Sequence, residues 1–168
     1  MTTIDSVTNL PDRRLDNYRK FARAREPVMY TPKNLIWRDE MTTGVVEIDA
    51  QHKYLIDFFN DLRHSIQKNY DPEDISKVLK VMKYYAEWHF HKEEDCMLCY
   101  HCPAGERNAK AHTVFMDKLC EYQREFEQSG GSIDLATRIH EELVNWIVNH
   151  IMVVDTQLAP CVPADNIQ

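Results

Sequence analysis

The fold of this chain is decided by residues 84–115, YYAEWHFHKEEDCMLCYHCPAGERNAKAHTVF. This stretch places His89 and Glu93 four residues apart, followed by a break at Pro103 and then by His112. In an α-helix, four steps of about 100° return to nearly the same face, so His89 and Glu93 point the same way. An imidazole and a carboxylate on one face offer two ligands to one metal ion. Taken alone, however, they are more simply a His–Glu pair on a solvated face.

Two further segments carry the same residue types. His52 lies in VVEIDAQHKYLIDFFNDL (45–62), and His150 and Asp155 lie in ELVNWIVNHIMVVDTQL (142–158). Together with the segments of His89 and His112, this makes four amphipathic segments that each bring a histidine, alone or with a carboxylate, at comparable depth. The four segments predict one shared metal site.

The apolar spacing and the helix-end signals predict an all-α fold, an up-down-up-down four-helix bundle. The presence of only 4 glycines disfavours a turn-rich all-β fold. Short loops separate the four segments, and Gly130–Gly131 ends the third helix. The predicted helices are 50–68 with Asp49 as N-cap, 72–98 with Asp71 as N-cap and a proline at its first position, one opened by Pro103, and one capped by Ser132 or Asp134 that runs past Asp155 to Pro160.

The combined motif resembles the hemerythrins, specifically the bacterial hemerythrin-like domains. The matching residues are IDAQH ending at His52, HFHKEE with His89 and Glu93, AHTVF with His112, and WIVNHIMVVD. The resemblance covers about residues 37–158. It implies a four-helix bundle that holds two non-haem iron ions with an oxo or hydroxo bridge and binds dioxygen reversibly, with small anions as further ligands.

By this resemblance, Glu93 and Asp155 bridge the two irons. His52 and His89 bind one iron, and His112 and His150 bind the other. Trp146 and Ile147 are most simply core residues, and the resemblance also places them in the wall of the oxygen pocket. The expected site residues are therefore His52, His89, Glu93, His112, His150, Asp155, Trp146 and Ile147.

The sequence departs from the family at one position. The third helix of the family usually reads H-x-x-x-H, but here the first position is Asn108. We therefore expect the second iron to lack an imidazole, with the amide oxygen of Asn108, water or an outside ligand in its place. A second irregularity is the five-residue spacing of His150 and Asp155, which leaves them about 140° out of phase in a regular helix. It predicts a widened, π-type turn around residues 150–155.

Three segments make up the predicted domain organisation: an N-terminal helix and extended arm (1–36), the bundle (37–160) and a tail or truncated linker (161–168). The basic face of the N-terminal helix, at residues 11–25, is more simply solvated, and the alternative is a docking surface for a partner domain. The net charge of −7 argues against nucleic-acid binding. The chain has no apolar run long enough to span a membrane and no export signal, so we expect it in the cytoplasm with its five cysteines reduced.

Two other kinds of metal site agree less well with the sequence than the di-iron centre does. Cys96, Cys99 and Cys102 form C-x-x-C-x-x-C, which is typical of iron–sulfur or zinc ligation but lacks a fourth cysteine at a standard spacing. A ferritin-like enzyme would need paired E-x-x-H motifs, which the sequence does not contain.

The function expected first is an oxygen or redox sensor, not itself an enzyme, with a possible output domain such as a diguanylate cyclase. The alternatives are an oxygen carrier or store, and a di-iron enzyme that reduces oxygen, peroxide or nitric oxide.

Overall fold

The computed structural model describes residues 34–68 and 70–163. Within them the chain is all-α, as predicted, with no β-strand in this part of the sequence. The predicted N-terminal helix lies outside the described residues. No helix among the described residues is both long enough and apolar enough to cross a bilayer. The α-helices are α1 (Val46–Lys68), α2 (Pro72–Cys99), α3 (Gly105–Gln128) and α4 (Ile133–Val153), and two 3₁₀ helices cover Asp39–Met41 and Asp155–Cys161.

The four α-helices form a bundle in which each helix packs against two others. α1 contacts α2 and α4, and α3 contacts the same two helices. The connections between successive helices are short, so neighbouring helices run antiparallel. The buried His140 lies in the half of the bundle remote from the expected ligands, with its Nε2 2.9 Å from the Phe59 carbonyl oxygen. Apolar side chains that recur at helical spacing line the interior of this half. Its fully buried members include Phe59, Leu62, Leu79, Leu119, Tyr122, Phe126 and Ile139.

The helix ends confirm two of the predicted caps and correct a third. The Asp71 side chain accepts a hydrogen bond from the Glu73 amide at 2.8 Å, and Ser132 accepts one from the Leu135 amide at 3.4 Å. The prediction that Asp49 caps α1 was wrong, because α1 begins at Val46 and contains Asp49 in its first turn. Asp49 instead accepts hydrogen bonds from the backbone amide and the hydroxyl of Thr43, at 2.8 and 2.7 Å. These bonds hold the segment before α1 against the first turn of the helix.

The C-terminal end of α4 also differs from the prediction. The Val154 amide still bonds the His150 carbonyl at 2.8 Å, but the Gln157 amide bonds the Val154 carbonyl at 3.0 Å, which is 3₁₀ spacing. The α-helix therefore stops at Val153 and does not continue past Asp155, and the turn tightens where a widened π-type turn was expected. Tightening to 3₁₀ bonding satisfies carbonyls that a helix end leaves without partners. We call residues Asp155–Cys161 the Asp155 3₁₀ helix.

The α3–α4 connection yields a matched pair of stability predictions. Gly130 and Gly131 have φ values of +71° and +78°, a conformation that suits glycine. A Cβ added to Gly131 would lie 2.3 Å from the Pro72 Cβ, whereas no atom of the described residues lies within 4 Å of a Cβ added to Gly130. Gly130→Ala should cost about 1 kcal/mol of unfolding free energy through backbone strain alone.

Gly131→Ala should lower the unfolding free energy by about 1–2 kcal/mol more than Gly130→Ala does, because the rigid Pro72 ring cannot move away from the new methyl group. Chemical denaturation followed by circular dichroism, at equal iron content, measures both. Equal losses for the two variants would contradict the close packing of α2 against this turn.

Candidate metal centre

The predicted site residues meet in one half of the bundle. His52 lies near the start of α1, Glu93 near the end of α2, His112 near the start of α3 and His150 near the end of α4. Because neighbouring helices are antiparallel, these four positions lie at the same height along the bundle axis. All six expected ligands are buried, and none is more than 5% exposed, so the structure places a strongly polar cluster inside the protein: His52, His89, Glu93, His112, His150 and Asp155.

The six side chains fall into two groups that share a carboxylate. His52, His89 and Glu93 offer nitrogen and oxygen atoms within 4.8 Å of one another, and Glu93, His112, His150 and Asp155 do the same. The His52 and His89 rings lie 4.8 Å apart, and the His112 and His150 rings lie 4.9 Å apart. This pairing of the histidines is the one that the family resemblance implied. Either group has the donors that an iron ion takes in proteins.

Glu93 and Asp155 each span the two groups, with one carboxylate oxygen facing each side. Glu93 Oε1 lies 3.6 Å from His52 Nε2, and Glu93 Oε2 lies 3.3 Å from His112 Nε2. Asp155 Oδ2 lies 3.5 Å from His52 Nε2, and Asp155 Oδ1 lies 3.0 Å from His150 Nε2. This is the arrangement that a carboxylate needs in order to bridge two metal ions.

The buried donor atoms lack the partners that buried polar groups normally have. Within the described residues, both ring nitrogens of His52, Oε1 of Glu93 and both carboxylate oxygens of Asp155 make no hydrogen bond. Burying polar atoms without partners costs free energy. Cations among these lone pairs would remove that cost, so the residues present fit a two-metal centre.

Burial also sets the protonation of the histidines. Burial, followed by the neighbouring His52, lowers the pKa of His89 to about 3, and burial, followed by His112, lowers the pKa of His150 to about 3. Both imidazoles are therefore neutral at physiological pH, which is the form that binds a metal. Burial, followed by the charge of Glu93, raises the pKa of Asp155. A bound cation would oppose this effect by favouring the ionised carboxylate.

Two polar residues that sequence reasoning missed orient the histidines. His89 Nδ1 lies 2.8 Å from Gln51 Oε1, and His112 Nδ1 lies 2.8 Å from Glu94 Oε1. Each contact occupies Nδ1 and leaves Nε2 for the interior, as outer partners of metal-binding histidines do. Both residues are sequence neighbours of expected ligands, Gln51 of His52 and Glu94 of Glu93. Adjacency is the only signal in the sequence, and it does not tell which histidine each one contacts.

Aromatic rings cover the histidines on the α3–α4 side. Phe90 stacks on His112 with ring centroids 3.8 Å apart, and Trp146 stacks on His150 at 4.3 Å. Phe115 joins them, 4.3 Å from Trp146. Ile147 is buried, at 2% exposure. The predicted pocket residue Trp146 therefore lies directly against the site, within an aromatic wall defined by Phe90, Phe115 and Trp146.

Asn108 is buried beside the second group, but its amide nitrogen faces the site. Asn108 Nδ2 donates to Glu93 Oε2 at 3.0 Å and to Met97 Sδ at 3.4 Å. The sequence suggested that the amide oxygen could serve as a weak ligand, whereas here the side chain supports a carboxylate as a hydrogen-bond donor. The second group keeps two imidazoles, those of His112 and His150.

The cysteines do not form a metal site in the described part of the chain. The groups able to hold an ion there contain only histidine, glutamate and aspartate. Cys99 is exposed, Cys102 is buried, and the Sγ of Cys102 contacts Cys161. The C-x-x-C-x-x-C spacing therefore does not translate into three converging thiols.

Comparisons with known proteins agree with this geometry. A family model for the hemerythrin HHE cation binding domain matches residues 43–162. The chain is 30% identical over 118 residues to the Bacteriohemerythrin of Pseudomonas aeruginosa, covering 70% of this chain and 74% of the relative. It is 30% identical over 130 residues to that of Stenotrophomonas maltophilia (77% and 82%) and 30% identical over 129 residues to that of Methylococcus capsulatus (74% and 93%). The chain belongs to the hemerythrin family, whose domains bind dioxygen at a non-haem di-iron centre.

Proposed function

We propose that this domain senses oxygen or redox state through its di-iron centre. In this proposal His52 and His89 would hold one iron, His112 and His150 would hold the other, and Glu93 and Asp155 would be shared by both. The observation that carries the proposal is Asn108, which stands where the family usually has a histidine and donates to Glu93 Oε2. A di-iron centre supplies the electrons and the open coordination position for reversible oxygen binding.

The residues around the site support a centre that oxidises readily. An iron held by the two imidazoles of the second group would have a position left for water or a small anion such as azide. The aromatic wall of Phe90, Phe115 and Trp146 opposes this effect on the α3–α4 side, where it limits the entry of solvent. A carrier requires slow oxidation, whereas a sensor can use oxidation as its signal.

The biological setting is part of the proposal. We propose a cytoplasmic location and signalling to an output domain, such as a diguanylate cyclase, in the same protein. The domain itself performs no catalysis in this account. A carrier would instead show stable, reversible oxygenation, and an enzyme would turn over oxygen, peroxide or nitric oxide steadily with a reductant.

The first prediction tests the bridging carboxylate. Glu93→Ala should lose at least one of the two irons per chain, because the shared oxygen ligand of both groups is removed. Asp95→Ala, an exposed carboxylate on the same helix, is the matched control and should retain full iron. Metal analysis after anaerobic loading measures both. A Glu93→Ala protein that holds two irons would rule out the proposed bridge.

The second prediction tests Asn108. Asn108→His should add an imidazole to the second group, slow oxidation of the reduced, iron-loaded protein in air, and weaken azide binding. Asn108→Ala removes the hydrogen bond to Glu93 without adding a ligand, so it should not slow oxidation. Stopped-flow absorption spectroscopy follows both. Unchanged oxidation in Asn108→His would remove the basis for the sensor proposal while leaving the di-iron site intact.

The third prediction concerns the outer partner of His112. Glu94→Gln keeps the shape of the side chain but removes the charge beside His112 Nδ1, so iron affinity should fall roughly 10- to 100-fold. Competition with a chelator measures the affinity, and Glu87→Gln, elsewhere on α2, is the control. Equal affinities for the two variants would show that Glu94 does not orient His112.

A further inference from the structure

Two cysteines from distant parts of the sequence meet at the end of the bundle next to the metal centre. The Sγ atoms of Cys102 and Cys161 lie 2.7 Å apart, although the residues are 59 positions apart in the chain. Both thiols also lie 3.3 Å from the same acceptor, the Gln157 carbonyl. Neither residue is an expected metal ligand, and the function proposed above does not use them.

The two cysteines lie in neighbouring segments, one of which begins with the expected ligand Asp155. Cys102 lies in the α2–α3 connection, and Cys161 ends the Asp155 3₁₀ helix, whose first residue spans the two histidine groups. An apolar cluster packs these segments together, and its buried members are Met97, Cys102, Ala104, Leu158 and Val162. Met97 in this cluster also accepts the hydrogen bond from Asn108. The packing therefore places the thiols in one cluster with Met97, which contacts Asn108, and with the 3₁₀ helix that carries Asp155.

We propose that Cys102 and Cys161 form a reversible disulfide that tethers the Asp155 3₁₀ helix to the α2–α3 connection. The bond is a modification site of the domain, with low-molecular-weight disulfides such as oxidised glutathione as its oxidant. A bond across 59 positions removes chain entropy from open states and so favours the closed segment. The tether should therefore hold Asp155 in place.

The chemistry balances as thiol–disulfide exchange. The partly buried Cys161, as thiolate, attacks oxidised glutathione, forming a mixed disulfide and releasing one glutathione thiolate. Cys102 then attacks the Cys161 sulfur of the mixed disulfide and releases the second glutathione. Two protein thiols are oxidised, one glutathione disulfide is reduced to two thiols, and the two protein protons pass to solvent or to the released glutathione.

Cys161 should be oxidised more slowly than the cysteines of peroxide sensors, whose pKa values are low. Desolvation, followed by the hydrogen bond with Cys102, raises the pKa of Cys161 to about 11. Cys161 therefore stays mostly as the thiol at neutral pH, and oxidation that begins at Cys161 is slow and set by the prevailing thiol–disulfide ratio.

The experiment uses the iron-loaded chain in glutathione buffers of increasing oxidised fraction. Free thiols are then alkylated, and peptides are mapped by mass spectrometry. The proposal expects a linked peptide that joins Cys102 to Cys161, and the same peptide in Cys99→Ser, whose exposed thiol is the matched control. Alkylation of both cysteines at high oxidised glutathione, a mixed disulfide that persists on Cys161, or linkage to Cys96 or Cys99 would overturn it.

A second readout tests the tether and rests on the proposed role of Asp155. Iron release to a chelator should be at least about tenfold slower in the oxidised than in the reduced protein, because opening of the Asp155 3₁₀ helix is restricted. Cys161→Ser and Cys161→Ala should release iron at the reduced rate under both conditions, while Cys99→Ser should behave as wild type. A disulfide that forms without changing iron release would refute the tether, and a chain that binds no iron would refute the proposed function separately.

Discussion

The structure depends on two carboxylates, those of Glu93 and Asp155, that are buried among four imidazoles. Within the described residues, three of the four carboxylate oxygens have no hydrogen-bond partner. Isolated buried charge is costly, and an apolar bundle of this size could be built without it. Glu93 and Asp155 are held at this cost in positions where each faces both histidine groups. A pair of cations explains the arrangement, because it converts unpartnered lone pairs into ligand bonds that also contribute to folding.

The bundle separates stability from function along its length. The half remote from the expected ligands is filled mainly by large apolar side chains, including Phe59, Leu119 and Tyr122, which are almost fully buried. That half supports a polar cluster in the other half, where the helices are brought to a common level by short connections. Gln51 and Glu94 orient two of the imidazoles, those of His89 and His112, through contacts to their Nδ1 atoms. The end of α4 completes the site by changing from α to 3₁₀ geometry, which carries Asp155 to within 3.0 Å of His150.

Residue spacing predicted much of this from the sequence. Helical periodicity and turn residues indicated four helices, and Asp71 and Ser132 were identified as caps because their chemistry is local. The pairing of histidines came from the family resemblance, and the structure groups them in the same way. The turn before Asp155 was not predictable, since five-residue spacing excludes a regular helix without telling whether the turn widens or tightens. Asp49 failed as a cap because its partners, the Thr43 amide and hydroxyl, are supplied by the chain before the helix. The contacts of Gln51, Glu94 and Cys161 are long-range and leave no periodic signal.

The most direct test is anomalous diffraction at the iron edge from crystals of the iron-loaded protein. We expect two anomalous peaks per chain between Glu93 and Asp155, one beside His52 and His89 and the other beside His112 and His150. A single peak, or peaks at the cysteines with none among the histidines, would contradict it.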